Sequence, residues 1–181
     1  MTAPARAVTP SAAMVGWWAV DPATSTARFR VRDKLVATAR GTIAVAGGTI
    51  RIGAAGDVVS ARVELTTASI DTGNRHRDRD LRTERFLSAD RHPTIVVQAA
   101  PAPARSDGWT VPAQLQARGS SVPVDLTVTL TAVDEGSAAV RITGRLDRSG
   151  LGIKVPGFVI ARFVDLEVDI RAHRLDHTPA D

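Results

Sequence analysis

The densest run of chemically able side chains lies between Asn74 and Leu87, where Arg75, His76, Arg77, Asp78, Arg79, Asp80 and Arg82 crowd together. Guanidinium groups at that density can hold a polar or phosphorylated group through charge-assisted hydrogen bonds, with His76, Arg77, Asp78 and Arg82 as the candidates. The plainer reading is that Arg77, Asp78 and Arg82 tie a short helix to neighbouring turns while the others face water. Asp71, ahead of Thr72-Gly73-Asn74, suits a turn or a helix cap. The four histidines, His76, His92, His173 and His177, show no metal-site spacing on one element, so no metal is expected. No serine sits in a Gly-x-Ser-x-Gly elbow, and the absence of cysteine removes thiol nucleophiles, thiolate sites and disulfides together. Nothing in these residues marks an enzyme.

The elements that must position this run are strands. Ala27, Phe29 and Val31 alternate with Arg28, Arg30 and Arg32, as a half-buried strand requires. Ile43 and Val45, then Ile50 and Ile52 after Gly47-Gly48, read as a hairpin. Val59, Ala61, Val63 and Leu65 share one face of the next strand. Residues 74–87 break the alternation and read as a short exposed helix, followed by a strand from Thr94 to Ala100 and a Pro/Ala-rich reversal. Trp109, Val111, Ala113, Leu115 and Ala117 share a parity, as do Val122, Val124, Leu126, Val128 and Leu130. Val140, Ile142 and Leu146, then Val164, Leu166, Val168 and Ile170, complete the set. About eight such strands, joined mostly by short turns, must close on themselves or pair as two sheets to hide their apolar faces and their edges. No intervening helix is long enough for a parallel βαβ crossover, so the pattern is all-β and antiparallel, a sandwich or a barrel.

The 181 residues suit one domain, expected over 17–173, with loose tails at 1–16 and 174–181. No apolar run is long enough for a signal h-region or a membrane span, which makes the cytoplasm the default compartment. The net charge is +4, but Lys34 and Lys154 are the only lysines, the arginines alternate with carboxylates, and base-stacking aromatics are scarce. Nucleic acid is therefore not an expected partner.

The run Ser69 to Ile95 resembles the signature of the YceI-like family of lipid-binding proteins. Ser69, Asp71, Thr72, Gly73, Asn74, Arg77, Asp78, Leu81, Arg82, Phe86 and Pro93 fall in register with it. Trp18-Ala19-Val20-Asp21-Pro22 through Ser25 and Phe29 is similar to the family's opening strand. Arg118-Gly119 with Pro123-Val124, and Arg148-Ser149 through Gly152-Ile153, are similar to two later blocks. Asp80, Leu87, His92 and Leu151 depart from the pattern, standing where His, Phe, Tyr and Phe are common; fewer aromatics should line the interior.

The resemblance implies a lipocalin-like antiparallel β-barrel of about eight strands with one short helix. It also implies non-catalytic binding, for storage, transport or sensing, of a polyisoprenoid, a prenylated quinone or another long-chain lipid, with no further cofactor. Parity then gives the lining as Phe29, Val31, Val63, Leu65, Leu126, Val128, Val140, Ile142, Leu166 and Val168. His76, Arg77, Asp78 and Arg82 become head-group candidates at the barrel mouth. The alternative is a structural or interaction barrel that has lost its ligand, with side chains filling a closed core. Pairing as a homodimer through an edge or a face stays open.

Overall fold

The computed structural model describes residues 8–33, 38–154 and 160–179. The strand segments are β1 (Gly16–Val20), β2 (Thr26–Asp33), β3 (Thr38–Ile43), β4 (Val45–Ile52), β5 (Val58–Thr66), β6 (Thr94–Ala99), β7 (Gly108–Ala117), β8 (Ser120–Val133), β9 (Ser137–Asp147) and β10 (Ile160–Leu175). Helix α1 (Arg75–Arg82) lies between β5 and β6. The pairings are antiparallel and run β1-β4-β5-β6-β7-β8-β9-β10, and β10 returns to β1 through Trp17 opposite Leu175 and Val20 opposite Ala172. β2 continues along β10 beyond β1, and β3 pairs with β2. β1 with β2, and β3 with β4, are each one strand broken midway, so the segments form a closed barrel of eight strands. The all-β antiparallel pattern expected from the alternation is observed, and of the sandwich and the barrel it left open the fold is the barrel that the family resemblance implied.

Both breaks have local causes. Between β1 and β2 the Asp21 carboxylate accepts from the Ala23 amide at 2.9 Å and the Thr24 hydroxyl at 2.7 Å, turning the chain outward. Ser25 Oγ then accepts from the Arg171 amide at 3.0 Å and fastens the turn to β10. Between β3 and β4, the Ala44 amide leaves the ladder and donates to Ser69 Oγ at 2.7 Å.

Gly47-Gly48 was expected to reverse the chain and does not. It lies inside β4, where Gly47 takes φ of +145° and the register slips by a bulge between Val45 and Gly47. A Cβ on Gly48 would stand 2.3 Å from the Arg62 carbonyl, so the glycine permits close approach of β5. A second slip, between Arg51 and Ile52, turns Val58 inward in place of the expected Val59. The helix is also shorter than the run 74–87: Asn74 caps it through 3.1 Å bonds to the His76 and Arg77 amides, and the chain leaves helix at Thr83.

The described part of the N-terminal segment lies against the barrel. Met14 is buried, the Val8 amide donates to the Leu130 carbonyl at 2.8 Å, and Thr9 Oγ1 donates to the Ser106 carbonyl at 2.8 Å. Leu130 and Ser106 belong to the end of the barrel that carries the β4–β5, β6–β7 and β8–β9 turns. The opposite end, the rim, carries α1, the β7–β8 turn and the segment after β9.

Candidate ligand-binding site

Inside the barrel is an apolar cavity of about 170 Å³. It runs from Phe29, Ile43 and Leu65 towards the rim down to Met14, Trp18 and Trp109 at the other end. Nine of the ten residues expected from parity border it: Phe29, Val63, Leu65, Leu126, Val128, Val140, Ile142, Leu166 and Val168. Val31 does not; it pairs with Val164 and Ala39 one inward position further towards the rim. The barrel was long enough for parity to identify the inside, but not where along it the empty space ends.

Several wall residues lay outside that expectation. Trp109, Val111 and Leu115 share the inward parity of β7, and the same alternation would have found them. Val58 is hidden by the bulge, and Met14 belongs to no alternating strand, so neither carried a signal. The polar atoms of the two tryptophans are turned away from the cavity: Trp18 Nε1 donates to the Met14 carbonyl and Trp109 Nε1 to the Gly56 carbonyl, each at 2.8 Å. This leaves two indole faces for an apolar guest and no unsatisfied donor against it.

The charged run is organised differently. Asp78 is buried and accepts from the Thr72 hydroxyl at 2.5 Å and the Thr72 amide at 2.9 Å. The Thr72 hydroxyl holds the Asp78 carboxyl below the usual carboxylate range; burial opposes this, and the Thr72 amide, Arg82 and Arg77 add to it. Arg77 donates from Nε to Thr72 Oγ1 at 2.8 Å, and Arg82 donates to the Ile70 carbonyl at 3.0 Å. Exposed His76 lies 3.8 Å from Asp80. None of these four head-group candidates borders the cavity. Three of them stitch α1 to the turn at residues 70–72, and that turn in turn pairs with β3 through reciprocal Thr42 and Asp71 bonds of 2.8 and 3.0 Å.

The rest of the rim follows the same plan. Arg118 donates to the Phe86 carbonyl at 2.9 Å, and buried Arg148 donates to the Ala161 carbonyl at 2.9 Å and the Ile153 carbonyl at 3.2 Å. Asp147 is held well below the usual carboxylate range by Arg162, 2.5 Å away, and by Ser149. Leu87, His92 and Leu151, where fewer aromatics were expected to thin the lining, stand in this rim and not on the cavity wall. A polar trough abuts the cavity on the outer surface, bordered by Arg30, Arg40, Thr143 and Glu167; Arg28, Phe29 and Leu166 border both spaces. Among the described residues no three His, Asp or Glu side chains gather as metal ligands, and no helix is long and apolar enough to cross a membrane.

The YceI-like domain model matches residues 18–172, which take in nearly all of this barrel. The chain belongs to the YceI-like family. Solved structures share its fold at low identity. BcnA of Burkholderia cenocepacia aligns with a TM-score of 0.72 at 17% identity, over 84% of this chain and 98% of that one. A polyisoprenoid-binding domain from Saccharophagus degradans, implicated in plant cell wall breakdown, aligns with a TM-score of 0.68 at 14% identity, over 87% of this chain and 98% of that one. The YceI protein of Campylobacter jejuni gives 0.62 at 17% identity, over 71% of this YceI-like chain and 81% of its own. No curated protein sequence matches.

Proposed function

We propose that this YceI-like barrel is a non-catalytic carrier that takes an apolar chain, of the polyisoprenoid class, into its interior. The observation that carries the reading is the cavity itself: a closed barrel whose inward side chains are apolar encloses about 170 Å³ that they leave unfilled. An empty apolar cavity costs stability, on the order of 24 cal/mol per Å³, and a hydrocarbon guest restores the missing contacts. The likeness to a fold that includes a polyisoprenoid-binding domain adds the ligand class.

Size sharpens the proposal. A cavity of roughly 150 Å³ accepts a benzene-sized guest, so the space as it stands suits one or two isoprene units. Each buried methylene contributes about 0.8 kcal/mol, so a short segment already gives useful affinity. A longer chain needs wall rotamers to shift, or extends from Phe29 and Leu65 towards the rim. On this reading the head group lies at the rim, which the α1 residues hold in shape. The alternative of a barrel without a ligand called for a filled core, and the cavity weighs against it.

Native mass spectrometry of the freshly purified chain, followed by extraction and identification of released lipid, tests the proposal. A stoichiometric prenyl lipid, or saturable uptake of geranylgeraniol with a change in Trp18 and Trp109 emission, is the expected result. An apo mass that persists after incubation with prenyl alcohols and quinones would overturn it.

A further inference from the structure

We infer that the segment Val8–Met14 is the floor of the cavity and that Met14 gauges the length of chain the barrel accepts. The inference rests on the reading of the cavity as a lipid site. The matched family domain begins at residue 18, so this floor is laid across the barrel end by residues that precede the domain. It is held at several points. Besides the Val8 and Thr9 bonds, the Arg174 guanidinium donates to the Val15 carbonyl at 2.6 Å and to the Ala13 carbonyl, and it stacks on the Trp18 ring at 4.6 Å from the ring centre.

These contacts leave one side chain of the segment on the cavity. Met14 is 3% exposed and borders the cavity with Trp18 and Trp109, whose indole nitrogens are fixed to backbone carbonyls. The two rings are therefore pinned, and the flexible thioether is the adjustable surface against which the end of an apolar chain comes to rest. The side chains above it belong to strands whose ladders fix their height. Depth is set by Met14, among the described residues the one wall residue that no strand carries.

The test uses the whole chain with a graded series of primary n-alkanols one methylene apart, read by Trp18 and Trp109 emission. Met14→Ala removes three heavy atoms from the floor and is expected to move the best-bound alkanol up by about three methylenes, with affinity for that longer alkanol raised about tenfold or more. Met14→Phe raises the floor and is expected to move the optimum down, and Met14→Leu to leave it in place. If the wild-type chain shows a length optimum and the Ala and Phe variants both keep it, the gauge is overturned while the lipid reading stands. If the wild-type chain binds no member of the series and no prenyl alcohol, the lipid reading falls and takes this inference with it.

Discussion

β7 with β8 and the group β5, β9 and β10 carry the same alternation of apolar and polar residues, yet they end in different surroundings. Along β7 and β8 the inward side chains Trp109, Val111, Ala113, Leu115, Ala117, Val122, Val124, Leu126 and Leu130 are buried almost without interruption. On β5, β9 and β10 the inward Val63, Leu65, Val140, Ile142, Leu166 and Val168 are as apolar but only half-buried. All of these half-buried residues border the cavity, as do Trp109, Val111, Leu115, Val124 and Leu126 on β7 and β8, whereas Ala113, Ala117, Val122 and Leu130 do not. Alternation thus reports which face turns inward. It does not report whether anything stands on the far side.

The comparison is tested most strongly by the same kind of truncation at one site of each sort. Leu130 is 0% exposed, and Leu130→Ala should cost about 3 kcal/mol, the usual result of opening a hole in a packed core. Ile142 already faces empty space and forfeits fewer contacts, so Ile142→Ala should cost about 1 kcal/mol. Urea unfolding at constant m-value measures both. Equal losses would mean that the cavity closes in solution and that the two regions do not differ.

Enlargement should give a smaller effect with the opposite preference. Val122→Phe must enter a filled space beside Gly150, where Val122 already lies 2.5 Å from the point a Cβ would occupy, and should cost about 2 kcal/mol. Val140→Phe grows into the cavity and should leave stability within about 1 kcal/mol of wild type while lowering affinity for a prenyl alcohol about tenfold or more. A Val140→Phe protein that binds as before would remove the cavity as the ligand site.

The same contrast explains what the sequence could and could not disclose. Strand parity and the signature blocks were enough for the barrel, because period two and turn chemistry act over a few neighbouring residues. Nine wall residues followed from parity alone. The bulges at Gly47 and Ile52 were not legible, since each depends on how closely β5 approaches β4. Met14 was not legible either: its place on the cavity follows from bonds that its neighbours Val8, Thr9 and Ala13 make with Leu130, Ser106 and Arg174, distant in sequence. The signature residues Asp78, Arg82, Arg118 and Arg148 bond to backbone or turn groups of the rim, so they identify the fold more directly than the guest.

The smallest expected effect concerns that rim, through acid. Thr72 lowers the proton affinity of Asp78 in the folded chain, and Arg162 with Ser149 does the same for Asp147. The unfolded chain has no such bonds and takes up protons near the ordinary carboxylate value of about 3.9. The stabilisation from both carboxylates is therefore complete above that value and is lost as pH falls below it towards the lowered folded values, because the unfolded state binds protons first. Hydrogen exchange between about pH 6 and pH 3 should show α1 and the segment after β9 losing protection before β7 and β8, once intrinsic exchange rates are corrected for pH. Asp78→Asn, which cannot ionise, should lower α1 protection at neutral pH and flatten its acid dependence. Uniform loss across rim and packed strands, or an unchanged acid slope in Asp78→Asn, would show that the rim ties and the packed strands open as one unit.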